Sequence, residues 1–373
     1  MNDTPDRKPR VAVVFGGRSD EHGISCVTAG SVLAAIDRTA YDVVPIGIAR
    51  DGRWVLESDD SERLALHGRE LPSVDGDRAT VSLERVESGT DLVVSDPASP
   101  PQTLGEVDVV FPLLHGPWGE DGTIQGMLEL AGVRYVGAGV LASAVGMDKA
   151  YMKVVLAAAG LPLMPSITVH EREWARDEAG VRARAEKLGY PLFIKPARGG
   201  SSFGISKVHD ASELADALAE AHRHDPKALV EVSAEGAREV ECGVLGNPDG
   251  EPDTTLPAEI RIGGEHEFYD FEAKYLPEEH TELDIPALLP DGVADDLRAL
   301  AARAFEAIGC EGLARVDFFV LPDGSRVINE INTMPGFTPT SMFPRMWAAM
   351  GVEYPALVDR LIGLALARGT GLR

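Results

Sequence analysis

Two acidic residues, Asp317 and Glu330, are strong candidates for chemistry because the sequence between them predicts that they face each other. In RVDFFVLPDGSRVINEIN, residues 315–332, the pair Asp323-Gly324 separates two apolar runs. An Asp-Gly pair in such a position predicts a two-residue hairpin turn. Counting back from that turn along both strands places Asp317 directly opposite Glu330.

The same register pairs Leu321 with Arg326 near the turn and Arg315 with Asn332 at the far end. Because side chains alternate along a strand, Arg315 and Asn332 share one face of the hairpin with the two acids. The opposite face is apolar and is expected to carry Val316, Phe318, Val327 and Ile331.

Directly opposed carboxylates repel each other by roughly 0.2 to 1 kcal/mol on an open sheet, and by more where water is excluded. One interpretation is a solvated hairpin face on which Arg315 acts as the counterion. The other is a site for a hard divalent cation, because two carboxylates and the Asn332 amide oxygen form a partial set of oxygen ligands. Such a set leaves coordination positions for water and for substrate phosphates.

The composition is that of an ordinary globular protein, with 44% hydrophobic and 25% charged residues in a chain of 373. This length allows two or three domains. With 35 basic and 60 acidic residues, the formal net charge is −25. We therefore expect no binding to nucleic acid or to anionic membranes, and an anionic substrate would need a local basic pocket.

Three scattered cysteines, Cys26, Cys242 and Cys310, lack the spacing of a metal site. We expect them to be reduced and packed, as in a cytoplasmic protein. The first ten residues, MNDTPDRKPR, predict a short polar tail and no signal peptide. No apolar run approaches the ~20 residues that a membrane-spanning helix requires.

The first third of the chain, residues 1–137, predicts a doubly wound α/β domain. A helix is expected over residues 25–36, and strands are expected at 10–15, 41–49 and 107–114. Residues 58–104 are rich in Asp, Ser, Gly and Pro, and we expect surface loops and an edge hairpin there.

The rest of the chain predicts two α+β units, over residues 138–233 and 234–373. Their helices are expected at residues 148–159, 212–224 and 295–309, with strands that include KALVEVS, REVECGVLG and LPAEIRI. A final amphipathic helix is expected over residues 354–369, and its apolar face is predicted to pack into the core.

Two segments of the first third leave predicted strands where ligands often bind. VVFGGRSDEHGIS places exposed backbone N–H groups before a helix, although the G-x-G-x-x-G fingerprint of dinucleotide binding is absent. Glu21 in this turn is either a substrate-binding acid or an acid favoured by the helix dipole. His115 begins HGPWGEDG after a central strand, where it could bind substrate or satisfy the loop backbone.

The stretch FIKPARGGSSFGISKV, residues 193–208, places Lys195 at the end of a strand, before glycines, serines and a second strand. A Walker A loop would instead place the lysine after the glycines and open a helix. We expect a flexible loop of N–H and hydroxyl donors that closes over a polyphosphate, the alternative being an ordinary hairpin. Glu231 and Glu239 flank the next turn, which is a weak signal without a nucleotide.

Two later loops could border the same site. EFYDFEAKYL, residues 267–276, is aromatic and charged, so Lys274 and Tyr275 could reach over a ligand unless the segment packs against its domain. NTMPGFTPTSMFP, residues 332–344, leaves the acidic hairpin as a rigid, donor-rich loop. A lysine beside a lid loop and a later acidic hairpin together fit a nucleoside triphosphate with one or two Mg²⁺ ions.

Seven stretches, in their order and spacing, carry a family resemblance. They are FGGRSDEHGIS, HGPWGEDG, MDK, FIKPARGGSSFGISKV, FYDFEAKY, ARVDFF and NEINTMPGFTPTSMFP. Over essentially the whole chain they resemble D-alanine:D-alanine ligases of the ATP-grasp superfamily. The resemblance implies a Rossmann-like N-terminal domain followed by an ATP-grasp fold of two α+β subdomains, with ATP between two antiparallel sheets.

The resemblance also implies a two-step reaction for peptidoglycan precursor synthesis. ATP phosphorylates the carboxylate of one D-alanine, and the amine of a second D-alanine attacks the acylphosphate to give D-alanyl-D-alanine, ADP and phosphate. Mg²⁺ is the implied cofactor, with two ions expected and Mn²⁺ able to substitute. A homodimer is implied as well.

Individual roles follow from the matching positions. Implied ATP-binding residues are Lys149, Lys195, Ser202, Lys274, Glu231 and Glu239, the last two at the nucleoside. Implied Mg²⁺ ligands are Asp317, Glu330 and Asn332. Implied residues around the two D-alanine molecules are Glu21, Ser201, Tyr275 and His115 for the first, Ser341 for the second, and Arg315 with the Gly336 N–H for the tetrahedral oxyanion. The turn after Glu231 reads VSA where an aromatic residue often stacks near adenine, so the adenine contact departs from the family pattern.

Tyr275 favours dipeptide synthesis, because similar relatives that make D-alanyl-D-lactate lack a tyrosine at the matching position. Another ATP-grasp carboxylate-amine ligase, or a depsipeptide ligase, would share the metal hairpin but differ at Glu21, Tyr275 and Ser341. A noncatalytic nucleotide-binding module would lack a metal ligand or a phosphate lysine, yet all of these residues are present.

Overall fold

The structure, a computed structural model, describes residues 7–371 apart from 67, 69, 88, 201–203 and 263–280. Three β-sheets with helices packed on them make up the described chain, which confirms the mixed α/β class. Within these residues, no helix is both long and apolar enough to cross a membrane.

The first sheet contains eight strands and is parallel in its central part. Its elements are β1 (Arg10–Gly16), α1 (His22–Ala35), β2 (Asp42–Ile48), β3 (Trp54–Leu56), a 3₁₀ turn (Ser61–Leu64), β4 (Thr80–Arg85), β5 (Thr90–Asp96), β6 (Ser99–Glu106), β7 (Val109–Pro112), α2 (Thr123–Ala131) and β8 (Arg134–Tyr135). The strand order is β6-β5-β4-β3-β2-β1-β7-β8, and β1 runs parallel to both β2 and β7. The carboxyl ends of β1 and β7 therefore meet where the strand order reverses, a usual position for ligands.

Residues 58–104 contain the edge hairpin expected there, formed by β5 and β6, but they also contain the strand β4 where loops were expected. Strands β4, β5 and β6 pair antiparallel and extend the sheet by three strands. Leu92 and Val93 are buried, whereas all five residues 99–103 are exposed. An antiparallel extension with a solvated face tolerates such polar strands, which is why the composition resembled that of loops.

The second sheet has four antiparallel strands in the order β11-β10-β12-β9. The elements in this part are α3 (Val140–Met147), α4 (Lys149–Ala158), β9 (Ser166–His170), α5 (Glu171–Arg176), α6 (Glu178–Leu188), β10 (Leu192–Pro196), β11 (Ser206–Val208), α7 (Leu214–His224) and β12 (Lys227–Val232). The antiparallel pairing of β10 with β11 confirms the predicted strand pair, in which Lys195 is the last residue but one of β10.

The third sheet has the order β16-β15-β13-β17-β18, with β14 paired to β13. The elements are β13 (Arg238–Leu245), β14 (Asp253–Thr254), β15 (Ala258–Ile262), β16 (Thr281–Asp284), α8 (Val293–Ala307), β17 (Leu313–Val320), β18 (Arg326–Asn332), α9 (Met342–Ala349) and α10 (Tyr354–Ala367). Its neighbouring strands pair antiparallel. Alternate side chains of β17 point into a core that contains helices, and the others point to the opposite face of the sheet.

The turn between β17 and β18 is not the two-residue turn predicted from Asp323-Gly324. Arg326 pairs with Val320 rather than with Leu321, because the loop contains three residues, 322–324. Gly324 ends that loop with a φ of +84°, in the left-handed region that three-residue hairpin loops require. The predicted register was therefore wrong by one residue next to the turn.

A β-bulge restores the predicted register before the acids are reached. Asn329 has no partner in the ladder, so β18 gains one residue relative to β17 between the turn and the site. Asp317 consequently faces Glu330, and Arg315 faces Asn332, as predicted.

The bulge also changes which apolar side chains share a face. Val316, Phe318 and Ile331 lie in one buried cluster, as expected. Ile328 joins them opposite Phe318, whereas Val327 pairs with Phe319. The placement predicted for Val327 was wrong, because the extra residue reverses the alternation between the bulge and the turn.

Helix α10 confirms the prediction that its apolar face belongs to the core. Leu357, Val358, Leu361 and Ile362 are buried together with residues of β1, β7 and α1. In addition, α3 and α4 contribute to the cluster beneath the third sheet. The three-part division predicted after residues 137 and 233 stays a prediction.

Candidate active site

A cavity of about 860 Å³ is lined by strands of the second and third sheets, by the ends of α3 and α4, and by loops that include those following β1, β7 and β18. Its walls include twelve of the residues named from the sequence: Glu21, His115, Lys149, Lys195, Glu231, Glu239, Arg315, Asp317, Glu330, Asn332, Gly336 and Ser341. The other four predicted site residues, Ser201, Ser202, Lys274 and Tyr275, lie outside the described residues. Residues far apart in the sequence therefore meet at one site.

The opposed acids each have a cationic partner inside the cavity. Arg315 donates two hydrogen bonds of 2.7 Å to the Asp317 carboxylate, through Nε and one terminal nitrogen. The Nζ atom of Lys149, at the start of α4, lies 2.7 Å from Oε2 of Glu330. The Asn332 amide nitrogen also donates to Asp317, over 3.0 Å.

These ion pairs control the charge of their members. Burial alone would lower the pKa of Lys149, but the attraction of Glu330 raises it above its ordinary value. Burial acts in the same way on Arg315, whose pKa is nevertheless raised by Asp317 and by Glu241, 3.2 Å away. Both cations therefore stay charged, and they offset the repulsion between the two acids.

A second group of charges surrounds Glu231 on β12, which is 2% exposed. The Nζ atom of Lys195 lies 2.6 Å from one carboxylate oxygen, and Lys153 forms an ion pair with the other. Burial would raise the pKa of Glu231, but Lys195 and Lys153 together lower it. The carboxylate is held in its ionised form at the cavity wall.

Glu21 and His115 come from the loops that follow β1 and β7, so the sheet topology brings them together. Glu21 occupies the N-cap position of α1, and both side chains are buried. Gly116, with a φ of +72°, leaves room for this acid, since a Cβ atom there would lie 2.4 Å from Oε2 of Glu21. Burial lowers the pKa of His115, although Glu21 opposes that shift.

Glu120 connects the loop after β7 to the loop after β18. Its carboxylate accepts a hydrogen bond of 2.6 Å from the Gly116 N–H and interacts with the Met334 backbone. Burial, reinforced by the charge of Glu21, raises the pKa of Glu120 to about 8. The His115 ring also interacts with the Met334 backbone, so both side chains tie the first sheet to the 332–344 segment.

That segment carries the last predicted residues. Gly336 follows Pro335 at the cavity wall, and Ser341 is the N-cap residue of α9. The Ser341 hydroxyl lies 3.2 Å from the Thr338 nitrogen and 2.8 Å from the Thr338 hydroxyl. Glu239 lines the cavity from β13, beside Phe319 of β17.

The oxygen atoms of Asp317, Glu330 and Asn332 suit a hard divalent cation, because they lie on one face of the hairpin and line the cavity. Across the described part of the chain, no group of three or more His, Cys, Asp or Glu side chains could hold a metal ion. An ion at the hairpin would therefore complete its coordination with the amide oxygen, with water or with substrate oxygens.

Two family models match the chain. The model described as D-ala D-ala ligase N-terminus matches residues 10–138, and the model described as D-ala D-ala ligase C-terminus matches residues 155–363. The chain belongs to the D-alanine–D-alanine ligase family. This finding confirms the resemblance carried by the seven motifs.

Individual members of the D-alanine–D-alanine ligase family are similar over almost their whole length. A D-alanine–D-alanine ligase of Streptomyces avermitilis is 58% identical, covering 99% of this chain and 97% of that protein. One from Arthrobacter sp. (strain FB24) is 58% identical, covering 98% and 96%. Each match therefore spans nearly all of both proteins.

Solved structures of the family share the fold. The D-alanine-D-alanine ligase from Coxiella burnetii is 35% identical, with a TM-score of 0.80 over 97% of this chain and 94% of that one. The VanG D-Ala:D-Ser ligase from Enterococcus faecalis is also 35% identical, with a TM-score of 0.82 over 96% of this chain and 100% of that one. The fold is therefore common to ligases whose names differ in the second amino acid.

Sequence reasoning missed three charged residues of this ligase site, Lys153, Glu120 and Glu241. Lys153 lies four residues after Lys149 on a predicted helix, and this spacing alone places both lysines on one helix face. Glu120 lies within HGPWGEDG, a stretch in which His115 alone was a predicted site residue. Glu241 alternates with Glu239 along β13, so the period of a strand could have found it.

Proposed function

We propose that this chain ligates two D-alanine molecules to D-alanyl-D-alanine for peptidoglycan precursor synthesis, with conversion of ATP to ADP and phosphate. Membership of the family supports the activity. The observation that carries the proposal is the meeting of twelve sequence-predicted residues around one cavity of about 860 Å³. This volume lies within the ~300 to 1,000 Å³ usual for small-molecule sites.

We also propose that the two antiparallel sheets form an ATP-grasp arrangement after a Rossmann-like N-terminal domain. The cavity is lined by Phe193 and Lys195 of the four-stranded sheet and by Asp317 and Phe318 of the other antiparallel sheet. A nucleotide held there would lie between two sheets, with the loop after β10 beside its phosphates.

Charge supports the placement of the nucleotide. Lys149 and Lys195 would contact the phosphates, while Glu231 and Glu239 would bind the nucleoside. The chain carries a net charge of −25, so a polyanion needs this local pair of lysines. Ser202 and Lys274 would add contacts from the two segments outside the described residues.

Asp317, Glu330 and Asn332 would hold Mg²⁺, two ions being expected and Mn²⁺ able to replace them. When bound, Mg²⁺ supplies positive charge that neutralises the phosphate oxygens. The protein's part is to hold oxygen donors on one hairpin face and to keep Arg315 beside Asp317 at 2.7 Å. These residues position charge and undergo no covalent change.

The other end of the cavity would bind the amino acids. The buried carboxylate of Glu21 would pair with the ammonium group of the first D-alanine, with His115 beside it and with Ser201 and Tyr275 in the same hydrogen-bonded set. Ser341, at the N-terminus of α9, would bind the carboxylate of the second D-alanine. These residues would hold the amine of one substrate against the carboxyl carbon of the other.

The reaction would proceed in two chemical steps. A carboxylate oxygen of the first D-alanine attacks the γ-phosphorus, and the bond from that phosphorus to the ADP oxygen breaks. The amine of the second D-alanine then attacks the acyl carbon, loses a proton, and the carbon–oxygen bond to phosphate breaks. Arg315 and the Gly336 N–H would stabilise the tetrahedral oxyanion between these events, and one such donor is typically worth about 2.7 to 4 kcal/mol.

Phosphate release from ATP with Mg²⁺ tests the activity. We expect release to require D-alanine, to be absent with L-alanine, and to yield D-alanyl-D-alanine by mass spectrometry. Mixtures of D-alanine with D-serine or D-lactate determine the preference for the second substrate, and we expect the dipeptide of D-alanine to dominate. Release without D-alanine would contradict the proposal.

We further propose a homodimer that works in the cytoplasm. The three cysteines are free and buried, as expected in a reducing compartment.

The surface that we propose for the dimer interface lies on α2, α3, α4 and their connections. Every exposed residue between 123 and 160 is uncharged, and we call this surface the neutral face. Leu130, Leu141 and Val154 within it are 91%, 71% and 65% exposed. Two copies that each carry a charge of −25 would meet with least repulsion through such a surface.

A further inference from the structure

We propose that Lys153 is a positioning residue that keeps Glu231 charge-compensated when Lys195 moves to a nucleotide phosphate. Lys153 would thereby raise the affinity of the cavity for ATP without touching it. The inference rests on the proposed function, which assigns Lys195 to the phosphates and Glu231 to the nucleoside.

Lys153 differs in position from Glu231 and Lys195, whose exchange of partners it would support. Glu231 and Lys195 line the cavity, whereas Lys153 is not among the lining residues. Lys153 is 6% exposed and reaches the Glu231 carboxylate at the oxygen that Lys195 does not contact. It approaches Glu231 from within the protein, so a ligand in the cavity could displace Lys195 but not Lys153.

Helix α4 explains how Lys153 is held there. Lys149 and Lys153 are one turn apart on the same side of α4. Lys149 reaches Glu330 on β18, and Lys153 reaches Glu231 on β12. Helix α4 therefore presents one cation to each of the two antiparallel sheets. Folding of this helix positions both lysines.

The charges show why a second lysine is needed. In the observed arrangement two lysines share one carboxylate, so Glu231 can release one of them and remain paired. If Lys195 were its single partner, recruitment of Lys195 by a phosphate would leave a carboxylate that is 2% exposed without compensation. Such a buried, unpaired charge is strongly unfavourable. Lys153 removes that penalty from nucleotide binding.

Repulsion between Lys153 and Lys195 also favours the movement of Lys195 from Glu231 to a phosphate. Burial lowers the pKa of Lys153, Glu231 opposes this shift, and the charge of Lys195 adds to it. When Lys195 turns towards a phosphate, this repulsion decreases while the Lys153–Glu231 pair persists. Lys195 is thus the mobile partner of Glu231, and Lys153 is the permanent one.

A double-mutant cycle tests the proposal through binding of Mg²⁺ with AMP-PNP, a nonhydrolysable ATP analogue, to the full chain by isothermal titration calorimetry. We expect Lys153→Met to weaken AMP-PNP binding by about tenfold, equivalent to ~1.4 kcal/mol. In a Glu231→Gln background, the same substitution should change affinity by less than about twofold, since no carboxylate then needs compensation. Lys153→Arg keeps the positive charge, so it should bind AMP-PNP much more tightly than Lys153→Met and nearly as tightly as the parent chain.

Arg360→Met is the control. Arg360 on α10 forms an ion pair with Asp253, and neither residue lies on α4 or lines the cavity. We expect this variant to lose thermal stability while binding AMP-PNP within about twofold of the parent chain. Lys153→Met keeps the Lys195–Glu231 pair, so it should fold.

The possible outcomes distinguish the two proposals. Undiminished binding by Lys153→Met, or an equal loss in both backgrounds, would overturn the role of Lys153 alone. Failure of the parent chain to bind AMP-PNP with Mg²⁺ would instead contradict the proposed function.

Discussion

At the scale of single residues, the cavity is notable for acids that are already paired with the chain's own cations. Arg315 holds Asp317, Lys149 holds Glu330, and two lysines hold Glu231. Unpaired, these half-buried or buried carboxylates would repel one another and destabilise the fold. Pairing with the chain's own cations offsets this cost.

Glu330 is the residue whose replacement tests this pairing most simply. We expect Glu330→Gln to lower kcat/KM for ATP by about 100-fold or more, a loss of ~2.7 kcal/mol of transition-state stabilisation, because the amide keeps the shape but loses the charge. The fold should persist, because the loss of repulsion from Asp317 offsets part of the loss of the Lys149 ion pair, and the introduced amide oxygen can still accept a hydrogen bond from Lys149. Steady-state kinetics and a thermal melt measure the two effects.

Asp323→Asn provides the control for Glu330→Gln. Asp323 lies in the loop of the same hairpin, where it accepts a hydrogen bond of 2.9 Å from the Ser325 N–H. An asparagine can accept the same bond, so activity within about twofold of the parent is expected. Activity of Glu330→Gln near that of the parent would refute its role as a metal ligand.

Glu120 should make stability depend on pH. Its pKa is about 8 in the folded chain against an ordinary value of 4.5, so between these values the folded state keeps a proton that the unfolded state releases. This contribution to the free energy of unfolding is complete below pH 4.5 and is lost as the pH rises through 8. Its slope cannot exceed ~1.4 kcal/mol per pH unit.

Glu120→Gln removes that proton exchange. We expect the variant to gain stability relative to the parent chain as the pH increases from 6 to 9, because only the parent must ionise a buried carboxylate. Urea unfolding of both proteins at each pH measures the difference, in which other titrating groups cancel. A difference that does not change with pH would contradict this account.

At the scale of elements, the hairpin shows what the sequence could and could not predict. The opposition of Asp317 and Glu330 was predicted correctly, although the turn has one residue more than expected and Asn329 forms a bulge that compensates for it. Asp-Gly signals a turn without specifying its length, and no local pattern announced the bulge. The functional pair was predicted, whereas the side-chain face of Val327 was not.

Larger differences arise where packing overrides composition. Over residues 58–104 the sequence predicts an edge hairpin and loops, and the structure has that hairpin and the further strand β4, because a solvated antiparallel strand needs few apolar residues. The cavity itself was predictable only through the family resemblance, since Glu21 and Ser341 are separated by most of the chain. Lys153 depends on a contact between α4 and β12 that no spacing in the sequence specifies.

Helix α10 gives a prediction at this scale. Leu361 is 1% exposed within the cluster shared with the first sheet, so Leu361→Ala should lower the free energy of unfolding by about 2 to 5 kcal/mol. Gly363 lies on the exposed side of the same helix with open space around it, and Gly363→Ala should raise stability by about 0.5 to 1 kcal/mol. Urea unfolding followed by circular dichroism measures both. A loss below about 1 kcal/mol for Leu361→Ala would show that α10 does not anchor the core.

At the scale of the whole molecule, the neutral face predicts the oligomeric state. We expect a dimer by light scattering after gel filtration, and a monomer for Leu141→Glu, which would place two new charges in the interface. Leu288, 80% exposed and outside the neutral face, supplies the control, since Leu288→Glu should stay dimeric. If Leu141→Glu has the same molecular mass in solution as the parent chain, the neutral face is not the dimer interface.

In the proposed function, the opposed acids of the hairpin bind a metal–triphosphate complex in place of the chain's own cations. A crystal structure with Mg²⁺ and AMP-PNP tests this directly. We expect an ion bound to Asp317 and Glu330, with the Lys149 Nζ atom moved from its 2.7 Å contact with Glu330 to a phosphate oxygen. A nucleotide complex in which Glu330 remains paired with Lys149 and no ion contacts either acid would contradict it.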